Sequence, residues 1–301
     1  MSTGAPARTD PGSWLAAFGA VAIWTGFILV TRYSERGTLL PTDLAALRFA
    51  GAGLIMAPWL WRVRQRLPSL PRMLLLALCG GIGYALLAYH AFALAPAAHG
   101  AVLLPGMMPF LVALVAMVVL GERPSPGRAF GLAIIAGGMV CVAVEGVAPG
   151  LGDGTVWRGD ALFVAASLCW SVFTVLLRRW AVAPWDAVGI TACFSALIYL
   201  PVHALLLPSA IADAPLSEVL LQGGYQGFLA VIVALALFAR AVAGLGPTRM
   251  GVLMALVPAS GALLAVPVLG EPLTPLTIAG VVFASGGAVI AARAQALSSR
   301  R

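Results

Sequence analysis

The 301-residue chain is 61% hydrophobic and 10% charged, against roughly 45–50% and about 25% in soluble globular proteins, so composition excludes a soluble fold and implies an integral membrane protein. Its net charge is +7 and all 18 basic residues are Arg; without lysine there is neither a Walker A phosphate loop nor a Schiff-base lysine. Cys79, Cys141, Cys169 and Cys193 fall in apolar runs with no C-x-x-C pair, which excludes a disulfide framework and a zinc site.

In chain order, the polar stretch MSTGAPARTDPGS reads as a retained cytoplasmic tail, because it runs straight into an apolar segment of full membrane length instead of a short apolar core and cleavage site. A membrane span needs roughly 20 largely apolar residues. Breaks at Pro, Gly and Arg clusters predict ten: Trp14–Thr31, Leu44–Trp61, Met73–Leu94, Ala101–Leu120, Gly127–Val144, Ala161–Leu177, Ala187–Leu207, Val219–Ala239, Gly251–Leu269 and Pro275–Ala292. The expected fold is an all-α integral membrane protein of ten transmembrane helices. A tail (1–13), a first five-helix repeat (14–150), a second (151–292) and a C-terminal tail (293–301) follow one another.

Arginine orients the spans, since cytoplasmic loops collect basic residues. With both termini cytoplasmic, 14 of the 18 arginines lie on that side; Arg32, Arg36 and Arg158 lie opposite and Arg48 within a span. The basic charge is therefore explained by topology, and no nucleic-acid partner is expected. Six tryptophans sit at span ends, as interfacial Trp does. Trp24 and Trp170 sit mid-span.

The two halves repeat. VVLGERPSPGRAFGLAIIAGG (Val118–Gly138) returns as PVLGEPLTPLTIAGVVFASGG (Pro267–Gly287), and AIWTGFILVTR around Trp24 returns as LCWSVFTVLLR around Trp170. Five spans per half is odd, so the second half enters from the opposite side and the repeats are inverted, an arrangement typical of secondary transporters with a midplane site. Within the doubled stretch, Gly121 and Gly270 read as helix C-caps, and Ser125-Pro126 and Thr274-Pro275 as N-cap and first-turn pairs. Gly137-Gly138 and Gly286-Gly287 are expected to bring backbones close.

These two stretches, with the ten spans and the five-plus-five repeat, resemble the drug/metabolite transporter superfamily, specifically its EamA-type exporters. The resemblance covers residues 14–292. It implies a carrier in the bacterial cytoplasmic membrane, with a central cavity lined by the first, third, fourth, sixth, eighth and ninth spans. It does not name a cargo.

Candidate substrate contacts follow from polar and aromatic residues inside spans. Trp24 and Trp170, at matched positions, read as the aromatic walls of a site or as bulky packing residues, with indole N–H groups that need partners. Tyr84, Tyr89 and His90 lie on the third span, and an intramembrane histidine is either a substrate or proton contact or a neutral hydrogen-bonding group. Gln222, Tyr225 and Gln226, at i, i+3 and i+4, share a helix face. Pro109 and Pro258, matched within the fourth and ninth spans, kink their helices, and Met107 adds an adaptable thioether. For gating or proton coupling the candidates are Arg48, Glu122, Arg240 and Glu271; the two glutamates fall on opposite faces, each able to pair with an Arg when its side closes. His99 reads as interfacial and His203 as lying outside the site.

The resulting expectation is a secondary transporter exporting a small metabolite, an amino acid or amphipathic aromatic compound foremost, with multidrug or purine efflux as the alternative. No enzyme is expected, because catalytic groups do not cluster within the spans. A purely structural subunit would not account for matched mid-span aromatics. Expected partners are the small-molecule substrate and the lipid bilayer, with no cofactor and no metal. Proton coupling stays open, and so does the choice between monomer and homodimer.

Overall fold

A computed structural model describes residues 10–148 and 154–298. Ten helices are long and apolar enough to cross a membrane: α1 Pro11–Ser34, α2 Pro41–Arg66, α3 Leu70–Leu94, α4 Ala97–Leu120, α5 Pro126–Gly146, α6 Val156–Arg179, α7 Pro184–Leu206, α8 Leu216–Leu245, α9 Pro247–Leu269 and α10 Pro275–Leu297. No strand occurs among the described residues. The protein is a multi-pass membrane protein. Leu54, Val118 and Leu205 turn outward with 80–81% exposure, which only an apolar solvent makes favourable.

Local chemistry sets the ends. Proline opens six of these helices, where its missing N–H costs nothing and its fixed φ is already helical. Gly121 (φ 70°) and Gly270 (φ 67°) close α4 and α9 in the left-handed region, which suits a residue without Cβ. The N–H of the next residue, Glu122 or Glu271, returns to the carbonyl of Ala116 or Ala265, as in a Schellman cap. Thr274 caps α10 through the Thr277 N–H, whereas Ser125 makes no side-chain cap bond.

Boundaries differ from the sequence expectation at several places. The predicted turn at residues 95–100 shrinks to Ala95 and Pro96, so His99 lies inside α4. The last helix continues beyond Ala292 into the expected tail. The expected junction at residue 150, like most of the N-terminal tail, lies outside the described residues.

Helix-end contacts sort the ends onto two faces. Asp10 meets Arg240, Arg66 meets Asp186 and Glu122 meets Arg178 on the face where α1 begins; Arg32 meets Glu271 and Asp43 meets His203 on the face where α1 ends. The main packing pairs are α5 with α10, α2 with α7, α3 with α6, α8 with α1, α4 with α6, α9 with α1, α2 with α8 and α7 with α3. This set is unchanged when α1–α5 are exchanged with α6–α10.

The tightest seam is α5 against α10. A Cβ on Gly131 would come within 2.6 Å of the Ala291 nitrogen, one on Gly138 within 2.7 Å of the Gly280 oxygen, and one on Gly287 within 2.6 Å of the Gly131 oxygen. The neighbours Gly137 and Gly286 are different: a Cβ on Gly137 would find Phe283 at an ordinary 3.6 Å, and one on Gly286 would find nothing within 4 Å. Only one glycine of each expected pair therefore carries the close approach.

Helical irregularity recurs at matched places in the two halves, apart from a π turn at Val102–Gly106 of α4 that has no counterpart among the described residues of α9. Wide π turns interrupt α3 at Leu78–Gly83 and α8 at Gly223–Val233, and such turns are frequent at functional sites. Helix α4 breaks at Met107, before Pro109, and α9 at Ala255, before Pro258, because proline lacks the N–H and its ring collides with the carbonyl four residues back. The loosened Leu103 carbonyl of α4 accepts the Ser167 hydroxyl of α6 at 2.6 Å.

Candidate functional site

A hydrogen-bonded network joins α1, α2, α3 and α8 in the half of the bundle nearer the end of α1. Arg48 of α2 donates through Nη1 to the Tyr89 hydroxyl at 3.5 Å, and Tyr89 donates to Gln226 Oε1 at 3.2 Å. The Gln226 amide donates to Thr31 Oγ1 at 2.9 Å and to Gln222 Oε1 at 3.2 Å, and Gln222 donates to the Val30 carbonyl at 3.1 Å. Tyr89, Gln222 and Gln226 are at most 1% exposed. Tyr225 reaches α1 as well, its hydroxyl donating to the Ile23 carbonyl at 2.8 Å. All three polar residues of α8 thus face α1.

Arg48 is the unbalanced member. Its guanidinium lies 5.8 Å from the centre of the Phe27 ring, and among the described residues it forms no ion pair. A charge held inside a span without a counter-ion costs several kcal/mol or more, so the position favours any carboxylate that can reach it.

Aromatic residues extend the site toward mid-span. Trp170 packs on Tyr84 with ring centres 4.8 Å apart and on Phe173 at 5.2 Å. Trp24 donates to the Ala230 carbonyl at 3.3 Å and packs on Phe238 at 5.6 Å. The two indoles therefore serve different neighbours and, among the described residues, do not pair with one another.

The other predicted residues divide. His90 is exposed and bonds through Nδ1 to the Leu86 carbonyl of its own helix at 2.8 Å, apart from the network. Met107 is fully buried and Pro258 is buried as well, while Pro109 starts the second segment of α4. Arg240 lies far from the glutamines, 61% exposed and paired with Asp10 at 3.2 Å.

Glu122 and Glu271 each pair across the two halves. Glu271 accepts from Arg32 Nε at 2.6 Å and from the Ala97 N–H at 2.7 Å, and Arg32 also donates to the Phe92 carbonyl. Glu122 accepts from Arg178. Arg32 and Arg178 close the matched AIWTGFILVTR and LCWSVFTVLLR stretches, so each pair joins the first helix of one half to the doubled turn of the other. The Arg32–Glu271 pair is 24% and 16% exposed, the Arg178–Glu122 pair 48% and 41%. Beside the former, burial pushes the Glu35 carboxyl up to about 7, opposed by the nearby Arg32 guanidinium. Glu35 Oε1 is buried without a hydrogen-bond partner among the described residues.

Sequence reasoning missed the buried acids. Asp43 accepts from His203 at 2.9 Å, from Ser209, and from the Leu40 and Ala210 N–H groups, so His203 is not isolated. Asp186 accepts from Trp59 and Arg66 at 3.1 and 2.9 Å. The signal was present: each aspartate sits two residues after a proline, Pro41 or Pro184, at the start of the second span of its half. His99, expected at the interface, is 1% exposed and lies 2.8 Å from Asp160.

Two cavities are present away from this network. One of about 320 Å³ is lined by Arg66, Arg72, Trp180 and Asp186 on the face where α1 begins. The other, about 310 Å³ and apolar, lies between α9 and α10. Neither touches a predicted substrate residue; the network itself is closed around its own bonds, and side-chain chemistry, not cavity size, identifies it.

Comparison with known proteins agrees with this architecture. The model of the EamA-like transporter family matches twice, at residues 12–144 and 157–293. An uncharacterized transporter, YdeK, of Bacillus subtilis is 28% identical over 265 residues, covering 86% of this chain and 89% of that one. An aromatic amino acid exporter, YddG, of Ancylobacter novellus is 31% identical over 208 residues, covering 65% and 68%. A solved crystal structure superposes with a TM-score of 0.64 at 23% identity over 94% of this chain and 99% of the other, which supports the fold alone.

Proposed function

Because the chain belongs to the EamA-like transporter family, we propose that it is a secondary carrier of the bacterial cytoplasmic membrane that exports amino acids, aromatic ones foremost. Both termini are cytoplasmic in this reading, since 11 of the 15 arginines among the described residues lie toward the face where α1 begins, as basic residues do on the cytoplasmic side. The family match to each half and the exchangeable packing pairs support two five-helix repeats, inverted because five spans reverse direction. Alternating access then follows from the two cross-half ion pairs: Arg32–Glu271 fastens the outer face, Arg178–Glu122 the inner, and each parts when its side opens.

The observation that carries the substrate class is Arg48, a guanidinium inside a span with no carboxylate paired to it among the described residues. An amino acid brings one, and a charge-assisted bond to Arg48 replaces the long contact to Tyr89. Gln226 and Tyr89 offer further polar contacts, and Trp170 with Tyr84 offers ring faces to an aromatic side chain. The relative named as an aromatic amino acid exporter supports the same cargo.

The test is counterflow of labelled phenylalanine, tyrosine and tryptophan into liposomes holding the purified protein. Exchange is expected with phenylalanine and not with phenethylamine, which keeps the ring and lacks the carboxylate. Arg48→Gln abolishes it, and Trp170→Ala weakens it. Equal exchange of phenylalanine and phenethylamine would remove Arg48 from recognition, and no exchange of any amino acid by folded protein would refute the cargo.

A further inference from the structure

Four helix ends meet around a buried imidazole on the outer face. His99, in the first turn of α4, has Nδ1 2.8 Å from Asp160 Oδ1 of α6 and Nε2 3.5 Å from Glu145 Oε1 at the end of α5. Glu145 Oε2 accepts 2.6 Å hydrogen bonds from the hydroxyls of Thr274 and Thr277, at the start of α10. The second oxygen of Asp160, Oδ2, is buried with no hydrogen-bond partner among the described residues, on a side chain only 8% exposed. It faces the end of α5, where a Cβ on Gly146 would come within 2.2 Å of it. Nothing in substrate recognition uses these groups.

A cluster built only to tie helices together would have its acceptors filled, because a buried oxygen without a donor costs about 1–3 kcal/mol. With His99 protonated and both carboxylates ionised, this cluster carries one net negative charge in a buried setting, and one more proton neutralises it. Burial disfavours the charged form. No set of three such side chains among the described residues forms a metal site, so the ligand that fits is the proton itself. The other charged groups near these helix ends are Glu271 and Arg32, engaged with each other, Glu35 beside that pair, Arg36, which donates to the Leu269 carbonyl, and Arg158, whose guanidinium lies 5.5 Å from the centre of the Trp157 ring.

The cluster is connected to the outer ion pair at both of its ends. Thr274 and Thr277 belong to the segment that begins with Glu271. Ala97, whose N–H bonds Glu271 Oε2 at 2.7 Å, lies in the same helical turn as His99. A proton arriving on the unfilled oxygen of Asp160 weakens that carboxylate as the partner of His99, and through His99 the change reaches Glu145, whose other oxygen holds Thr274 and Thr277. It thereby loosens the Thr274–Thr277 segment and, with it, the hold of Glu271 on Arg32 and Ala97.

We infer that His99, Asp160 and Glu145 form a proton-binding site on the outer face whose loading releases the Arg32–Glu271 pair, making the carrier a proton-coupled exporter. This rests on the carrier reading above and goes beyond it by naming the coupling ion and its site. Protons enter from the outside while substrate leaves.

The experiment separates the two readings. In liposomes with no pH gradient, counterflow reports the carrier alone. With acid outside, preloaded phenylalanine is expected to leave faster, and a trapped dye to report lumen acidification that depends on substrate. Asp160→Asn and His99→Gln lose the gradient-driven component and keep counterflow. Wild-type counterflow that ignores the gradient, or variants that respond as wild type does, would overturn the proposal and leave the carrier reading standing. Absence of counterflow would defeat the carrier reading, and the site is then decided in detergent. The chain has three histidines, so the His99 ring signals are assignable by NMR through His90→Gln and His203→Gln. A titration curve displaced by Asp160→Asn supports the site, and identical curves overturn it.

Discussion

Adjacent glycines in α5 should respond oppositely to the same substitution. A Cβ on Gly138 lies 2.7 Å from the Gly280 oxygen and 3.1 Å from the Ala284 nitrogen, where ordinary contact begins at 3.4 Å. The obstructing atoms are backbone and cannot rotate aside, so α5 and α10 must part by about 0.7 Å along a seam that Gly131 and Gly287 hold equally tight. Over-packing of this kind costs about 1–3 kcal/mol. At Gly137 the nearest atom is 3.6 Å away; there alanine fits and regains the roughly 0.5–1 kcal/mol that glycine forfeits within a helix. The difference between Gly138→Ala and Gly137→Ala is therefore about 1.5–4 kcal/mol. Thermal unfolding in detergent measures it, with Gly286→Ala as a second open-space control. Equal loss in the adjacent variants would refute the backbone-contact reasoning, because general helix propensity would then explain both.

Three other outcomes follow. A double-mutant cycle on Arg32 and Glu271 should give a coupling of about 1.5 kcal/mol or more, and the same cycle on Arg178 and Glu122 only about 0–1 kcal/mol, since both partners there are nearly half exposed; equal couplings would contradict the difference in burial. Asp43→Ala strands the His203, Ser209, Leu40 and Ala210 donors; at about 1–3 kcal/mol for each buried bond unmade, folded protein should fail to accumulate in the membrane, and wild-type yield would contradict it. Glu35, raised from 4.5 to about 7, holds a proton in the folded state that the unfolded chain releases. Stability is then full below about pH 4.5 and declines as pH rises to about 7. Glu35→Gln should flatten that decline in a melting-temperature series, and an unchanged slope would assign it to another group.

The elements readable from the sequence were those written in local order. Span number follows from apolar length, the starts of α5 and α10 from Ser125-Pro126 and Thr274-Pro275, and the left-handed caps from Gly121 and Gly270, whereas α2 and α7 begin three residues before the expected Leu44 and Ala187. Pairing was not readable in the same way. His99 meets Asp160 across 61 positions and Glu145 meets Thr274 across 129, and no periodicity encodes such meetings. The polar residues of α8 were legible as a stripe, yet Gln226 belongs with Tyr89, 137 positions away. Arg240 lies toward the other end of α8, where its partner Asp10, 230 positions away, was likewise not encoded by any periodicity. Glycine pairs misled by resemblance, since two neighbours on a helix point about 100° apart and only one can meet a partner backbone.

The backbone contact between α5 and α10 also limits the shape of motion. One helix belongs to each half, and their peptide groups touch without side chains between them, so the halves cannot draw apart there. Such a seam serves as an axle: the mouth on either face widens by rotation around it, most at the rim farthest away. The cargo's path should therefore lie off-centre, toward the side of the bundle where α1, α3, α6 and α8 pack. A short cross-link between α5 and α10, placed at positions with room such as Gly137, should leave transport running while one across Arg32 and Glu271 stops it.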